Sequence, residues 1–161
     1  SKSPICVDTR FIGNDWADAV YVNLSLMEIL SNQDQLAFVL AHELMHIKHH
    51  DRKRRKKFRA HAKAPRNMIV KSYEDFVHQT EREADCGATF LMEKASFDSS
   101  EAPMALNRLV YVFADGLDTG DLIKKAVKAV PTHGSYLERI DNTERCSKMA
   151  KEEPVDPSSS H

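Results

Sequence analysis

The hydrophobic and polar positions change period along the chain, and the changes mark out its elements. Near the start, Ile5 and Val7, and later Ala19, Val20, Tyr21 and Val22, alternate weakly around a turn signal at Gly13-Asn14-Asp15. That pattern predicts two short strands forming a small sheet, followed by a short helix over Leu24 to Leu30. From Ser31 to Asp51 the spacing becomes helical: Leu36, Phe38, Val39, Leu40, Ala41, Leu44, Met45 and Ile47 run nearly all round a wheel of 3.6 residues. A helix apolar on almost every side belongs in a core. Asn32 with Gln35 three residues on fits a capping box, with Ser31 as the competing N-cap. Further helices are expected over Tyr73 to Lys94 with Ser72 as N-cap, over Pro103 to Ala114, and over Asp121 to Val130, where Pro131 ends the last. In the second of these, Met104, Leu106, Leu109, Val110 and Phe113 would face the core. The expected architecture is α+β, mostly helical with a small N-terminal β-sheet, in one domain over residues 1–146. The polar residues 147–161, with two prolines, are expected to be a disordered tail.

Composition adds little to that picture: 42% hydrophobic with 29% charged residues is what one soluble domain of 161 residues needs. No apolar run approaches the ~20 residues of a membrane-spanning helix, so a soluble domain, cytoplasmic or periplasmic, is expected, with a fragment of a longer or membrane-associated protein as the alternative. Charge changes the picture more. Residues 51–66 hold nine Lys and Arg against one Asp, a formal +8, which leaves 14 basic and 23 acidic residues, −9, elsewhere. The run Arg52 to Arg66 reads as a solvated helix extension or a mobile insertion, with contact to a membrane surface or an acidic partner as the functional alternative. With Phe58 its sole aromatic residue, nucleic-acid binding is disfavoured. Cys6, Cys86 and Cys146 are widely spaced with no C-x-x-C pair, which argues against a disulfide scaffold and slightly favours a reducing compartment; one bridge, such as Cys6 with Cys146, stays open. Cys86 reads as a small buried helical residue. Trp16 reads as packing.

Candidate chemistry concentrates in the core helix. His42 and His46 stand one turn apart on one face and can aim two imidazole nitrogens at one point. With Glu43 beside them they form the His-Glu-x-x-His pattern, in which the histidines bind zinc and the glutamate takes a proton from water. His49 and His50 read as solvent-facing residues at the helix end. A third ligand is available in the next long helix. Glu81 and Asp85 share a face, so Glu81 can complete a two-histidine, one-glutamate site while Asp85 orients a histidine. Taken alone, both acids would read as an exposed face paired with Arg82 or Lys94, and Glu83 is read that way. Ala84, Gly87 and Ala88 are small enough to let the two helices approach closely.

The motif His42-Glu43-Leu44-Met45-His46, the E-x-x-x-D spacing from Glu81 to Asp85, and the later Thr132-His133 with Glu138-Arg139-Ile140 together resemble the HtpX and CAAX prenyl-protease family of gluzincin metallopeptidases, which includes small soluble minigluzincins. The similarity runs from about Asn14 to Ile140 and takes in the approach YVNLSLMEIL ahead of the motif helix. It implies a zincin-like fold, one Zn2+ held by His42, His46 and Glu81, Glu43 as general base, and Asp85 behind a histidine. Gly134 stands where family members have proline, and the membrane helices of the larger members are missing. By the same resemblance His133 approaches the metal, either donating to the oxyanion or filling a fourth position and keeping the protein latent. Tyr136 and Arg139 are the alternative contacts to an oxyanion or a substrate carboxylate; otherwise Tyr136 packs and Arg139 holds its loop through an ion pair. The function expected is hydrolysis of peptide bonds in peptides or unfolded proteins. The alternative is a zinc-containing assembly or chaperone-type binding domain, against which Glu43 and an open coordination position count.

Overall fold

A computed structural model describes residues 5–12, 15–22, 26–61, 66–115 and 136–153. Among the described residues, six helices and one short turn make up the body: α1 Leu26–Ile29, α2 Gln33–Lys48, α3 Asp51–His61, α4 Arg66–Lys94, a 3₁₀ turn Ser99–Glu101, α5 Ala102–Asp115 and α6 Tyr136–Glu152. Ahead of them, β1 (Ile5–Ile12) and β2 (Asp15–Val22) pair antiparallel from Ile5 opposite Val22 to Ile12 opposite Asp15. No third strand joins them among the described residues. The expected α+β class is therefore corrected to a helical one. A two-stranded ribbon cannot bury a face of its own, and the core described from Leu26 onward is built by helices, not on an N-terminal sheet. The turn signal Gly13-Asn14 and the helix expected over 121–130 lie outside the described residues.

Helix α2 starts where its polar residues place it. Asn32 accepts a hydrogen bond from the Gln35 amide at 2.9 Å, the N-cap contact that satisfies one free N–H of the first turn. Gln35 reaches back one residue further than a simple capping box, accepting from the Ser31 amide and hydroxyl, and donates to Glu101 at 2.7 Å. That last bond ties the helix start to the 3₁₀ turn. Past the cap, Phe38, Val39 and Ala41 pack with Leu26, Ala88 and Met92, and with Ala102, Ala105 and Leu106 of α5. Burying one such large side chain stabilises by roughly 1.5–3 kcal/mol. Leu44, by contrast, is 47% exposed, so α2 is not apolar-buried all round.

Small residues set the spacing between α2 and α4. Ala84 and Ala88 are fully buried, and a Cβ on Gly87 would collide with the Met45 side chain of α2. Helix α4 begins at Arg66, earlier than the expected start at Tyr73, so Ser72 lies inside it rather than capping it. Met104 of α5 is 48% exposed, not a core residue, whereas Ala102, Ala105 and Leu106 are buried.

Two expectations about the C-terminal part are also corrected. Cys86 of α4 and Cys146 of α6 are joined by a disulfide, so neither is a free buried thiol and Cys6 is not the partner of Cys146. Spacing could not show this, because α6 reaches Cys86 through packing, not sequence. Helix α6 also continues to Glu152, so the polar stretch expected to be disordered from 147 is helical that far. Its inner face explains why: Ser147 is buried against Ser99, Oγ to Oγ 2.7 Å, and Lys151 bonds Asp98 at 2.7 Å.

Asp98 caps the 3₁₀ turn and supplies a test. The Lys151 ammonium, with the hydroxyl and amide of Ser100, lowers its carboxyl to about 2 from 3.8. A group lowered in the folded state contributes stability that is present above the unfolded value and is lost as pH falls through the folded one. Asp98→Ala should cost ~1 kcal/mol near neutral pH, the usual worth of a cap, and should flatten the decline in stability between the unfolded 3.8 and about 2. Urea denaturation at a series of pH values measures both; a decline identical to wild type would mean Asp98 is not its source.

Candidate metal centre

The histidines of α2 and the acids of α4 face each other across the close helix contact. His42 Nε2 and His46 Nε2 are 3.0 Å apart, and each lies 3.4 Å from a Glu81 oxygen, His42 from Oε2 and His46 from Oε1. All three ligand atoms fall within 4.8 Å of one another. Tetrahedral ligands bonded at 2.0–2.1 Å stand about 3.3 Å apart, so the trio fits one zinc-sized ion without rearrangement.

The other ring nitrogens determine which atoms are offered. His42 Nδ1 lies 2.8 Å from Asp85 Oδ1, and His46 Nδ1 bonds Asp51 Oδ2 at 2.7 Å. A carboxylate at Nδ1 places the ring proton there and turns the Nε2 lone pair toward the shared point. Two lone pairs at 3.0 Å with a carboxylate alongside repel unless a cation sits between them, either a proton or a metal ion. Electrostatics agree. Burial has the largest effect on His42 and acts to lower its pKa, yet the hydrogen bond and charge of Asp85, with the hydrogen bond of Glu81, outweigh it and raise the group to about 9. His46 is raised in the same way, with Asp51 and Glu81 opposing burial. Donor set, spacing and preference for positive charge all fit Zn2+, and a metal would displace those protons on binding.

Behind the candidate ligands lies a charged frame. Arg139, 5% exposed, donates from Nε and Nη2 to the two oxygens of Asp85, each at 2.7 Å, and its Nη1 is 3.4 Å from Glu81 Oε2. Asp85 is held low by the Arg139 charge against the upward push of burial. Arg139 therefore holds Asp85 through a two-point ion pair. Tyr136 is buried, with the Arg139 guanidinium 5.7 Å from its ring centre. Glu43 is half-buried on α2 beside His42. His133 lies outside the described residues.

Two members of this frame were not found in the sequence. Asp51 is five residues past His46, a spacing with no helical meaning. It reaches the ring because the chain kinks at His50, whose φ of 55° is left-handed, a conformation in which histidine is several-fold enriched. Arg55 was hidden within a run of like charges; its Nη2 donates to Glu81 Oε1 at 2.8 Å and to Thr80 Oγ1 at 3.0 Å. Arg54 joins Asp51 at 2.7 Å to Glu83 at 2.8 Å. Glu83 thus pairs with α3, not with Arg82 or Lys94. Over Asp51–His61 the basic run is helix α3, which packs on α4 through Arg54, Arg55 and Phe58.

Residues 10–71 match the model of peptidase family M48, a span that takes in His42, Glu43, His46 and Asp51 and ends before Glu81. No curated protein and no solved structure gives a match.

Since Asp51 orients His46, Asp51→Asn should weaken zinc binding about 10–100-fold, the usual effect of removing a partner behind a ligand. Competition with a chromophoric chelator reads the affinity, and unchanged affinity in a folded variant would remove Asp51 from the centre.

Proposed function

We propose that this chain is a zinc-dependent endopeptidase of the HtpX and CAAX prenyl-protease type, in which His42, His46 and Glu81 hold one Zn2+ and Glu43 is the general base. The carrying observation is the convergence of two carboxylate-oriented histidines and Glu81 on a single point. The family M48 match over the motif helix supports a peptidase, and so does the motif itself, since a purely structural zinc site has no use for Glu43.

Zinc in such a site acidifies water and polarises the peptide carbonyl. The remaining work falls to the chain. Glu43 accepts the proton of the attacking water at its carboxylate and passes it to the leaving amide nitrogen. Asp85 and Asp51 keep the two rings in the tautomer that offers Nε2, and Arg139 keeps Asp85 ionised in a buried place. Arg55 holds one oxygen of Glu81, restricting how that carboxylate turns. The substrates are peptides or unfolded proteins, the class on which a peptidase acts.

Glu43→Gln separates chemistry from binding. The variant should retain one zinc per chain and lose about 10³-fold in peptide hydrolysis, within the range for removal of a general base. Metal analysis beside cleavage of a casein or quenched-peptide substrate gives both values. Cleavage by the variant at the wild-type rate would overturn the mechanism.

A further inference from the structure

Helix α2 carries one large apolar side chain that the core does not use. Leu44 is 47% exposed, and Lys48 follows one turn later on the same side of the helix. With buried Met45, and with Phe90 and Leu91 of α4, they line an open groove of about 580 Å³ between the two helices. That volume lies within the range of ligand-binding clefts, roughly 300–1,000 Å³. His42, Glu43, His46 and Glu81 are not among the lining residues, so the walls of the groove are not those of the metal centre.

Charge is arranged along the length of this groove. His46 meets Glu81 and His42 meets Asp85, so α2 and α4 run antiparallel. Lys48 and Lys94, both in the lining, each stand in the last turn of their own helix. The two cations therefore lie toward opposite ends of the groove. Both are exposed, and neither pairs with an acid among the described residues. The one acid in the described lining, Glu83, is taken up by Arg54 and Gln79. From Glu83 to Lys94 the groove follows ~16 Å of α4, the length of three helical turns.

We infer that this groove docks an amphipathic helix of a partner protein, with its apolar stripe on Leu44, Met45, Phe90 and Leu91 and with acidic residues at both ends of the stripe meeting Lys48 and Lys94. The furrow between two antiparallel helices is a seat into which a third helix sets its ridges, and a stripe at i, i+3, i+4 and i+7 is what an apolar groove of this kind recognises. The two separated cations decide the class of occupant. A fatty acid has one charged head and would leave one lysine unmet, and a helix with basic ends would be repelled at both. The inference does not rest on the peptidase reading, since it uses no ligand of the metal centre and not Glu43.

The test is fluorescence anisotropy of a labelled helical peptide with leucines at i, i+3, i+4 and i+7 and glutamates at both ends, titrated with the whole chain beside a twin peptide that has lysines for the glutamates. Saturable binding of the glutamate peptide is expected, at least about tenfold tighter than that of its twin, since each rim pair is worth up to about fivefold. The difference should shrink as salt rises. Leu44→Ser should weaken binding about tenfold, the worth of covering the exposed half of a leucine, and Lys48→Gln with Lys94→Gln should weaken it by a similar factor at low salt. Both variants should melt as wild type, because the three side chains are exposed. Affinity should be the same with and without EDTA, which separates docking from events at the metal. Equal affinity for the two peptides, wild-type affinity in Leu44→Ser, or no saturation by about 1 mM would overturn the proposal; the comparison of peptides needs no change to the protein. Binding that EDTA abolishes would place the probe at the metal centre, and a dimer that Leu44→Ser dissociates would make a second copy of the chain the occupant. Either result overturns it as well.

Discussion

Asp85 is a fully buried carboxylate, and it is stable there because Arg139 occupies both of its oxygens while His42 presses a ring nitrogen against one of them. Leaving such a charge uncompensated would cost several kcal/mol. The cost is met only when α2, α4 and α6 are all in place, since each contributes one member. The same triad holds the His42 ring at one angle, so the interaction that locks three helices together also aims its Nε2 toward His46 and Glu81. The Cys86–Cys146 disulfide crosses between α4 and α6 one residue after Asp85, keeping Arg139's helix beside its partner.

A second, more exposed chain of contacts does the same for His46. The ring bonds Asp51, Asp51 bonds Arg54, and Arg54 bonds Glu83 on α4. Both histidines thus have a carboxylate behind them and an arginine behind that carboxylate, one set deep in the body and one near the surface. The surface set depends on the reversal at His50, which returns the chain across α4 immediately after α2 ends. The basic helix is consequently joined to the centre by its inward arginines, and Lys53, Lys56 and Lys57 are exposed.

What the sequence determined by itself was whatever depends on local spacing. The period of 3.6 placed α2 and α5 to within a few residues, Asn32 marked the start of α2, and the one-turn intervals from His42 to His46 and from Glu81 to Asp85 put each pair on a shared face. Small residues at Ala84, Gly87 and Ala88 pointed to the close helix contact that brings those faces together. Tertiary structure decided the rest. Weak alternation near the start suggested a sheet layer, but alternation does not say whether a strand has enough neighbours to bury a face, and the core was built by helices instead. The like charges of residues 51–66 carried no signal separating Arg54 and Arg55 from their lysine neighbours, because the distinction is made by acids some 25 to 30 positions away on α4. Asp51, the partner of Arg139 and the Cys86–Cys146 bridge were invisible for the same reason: ion pairs and disulfides are selected by proximity in space, and only packing creates it.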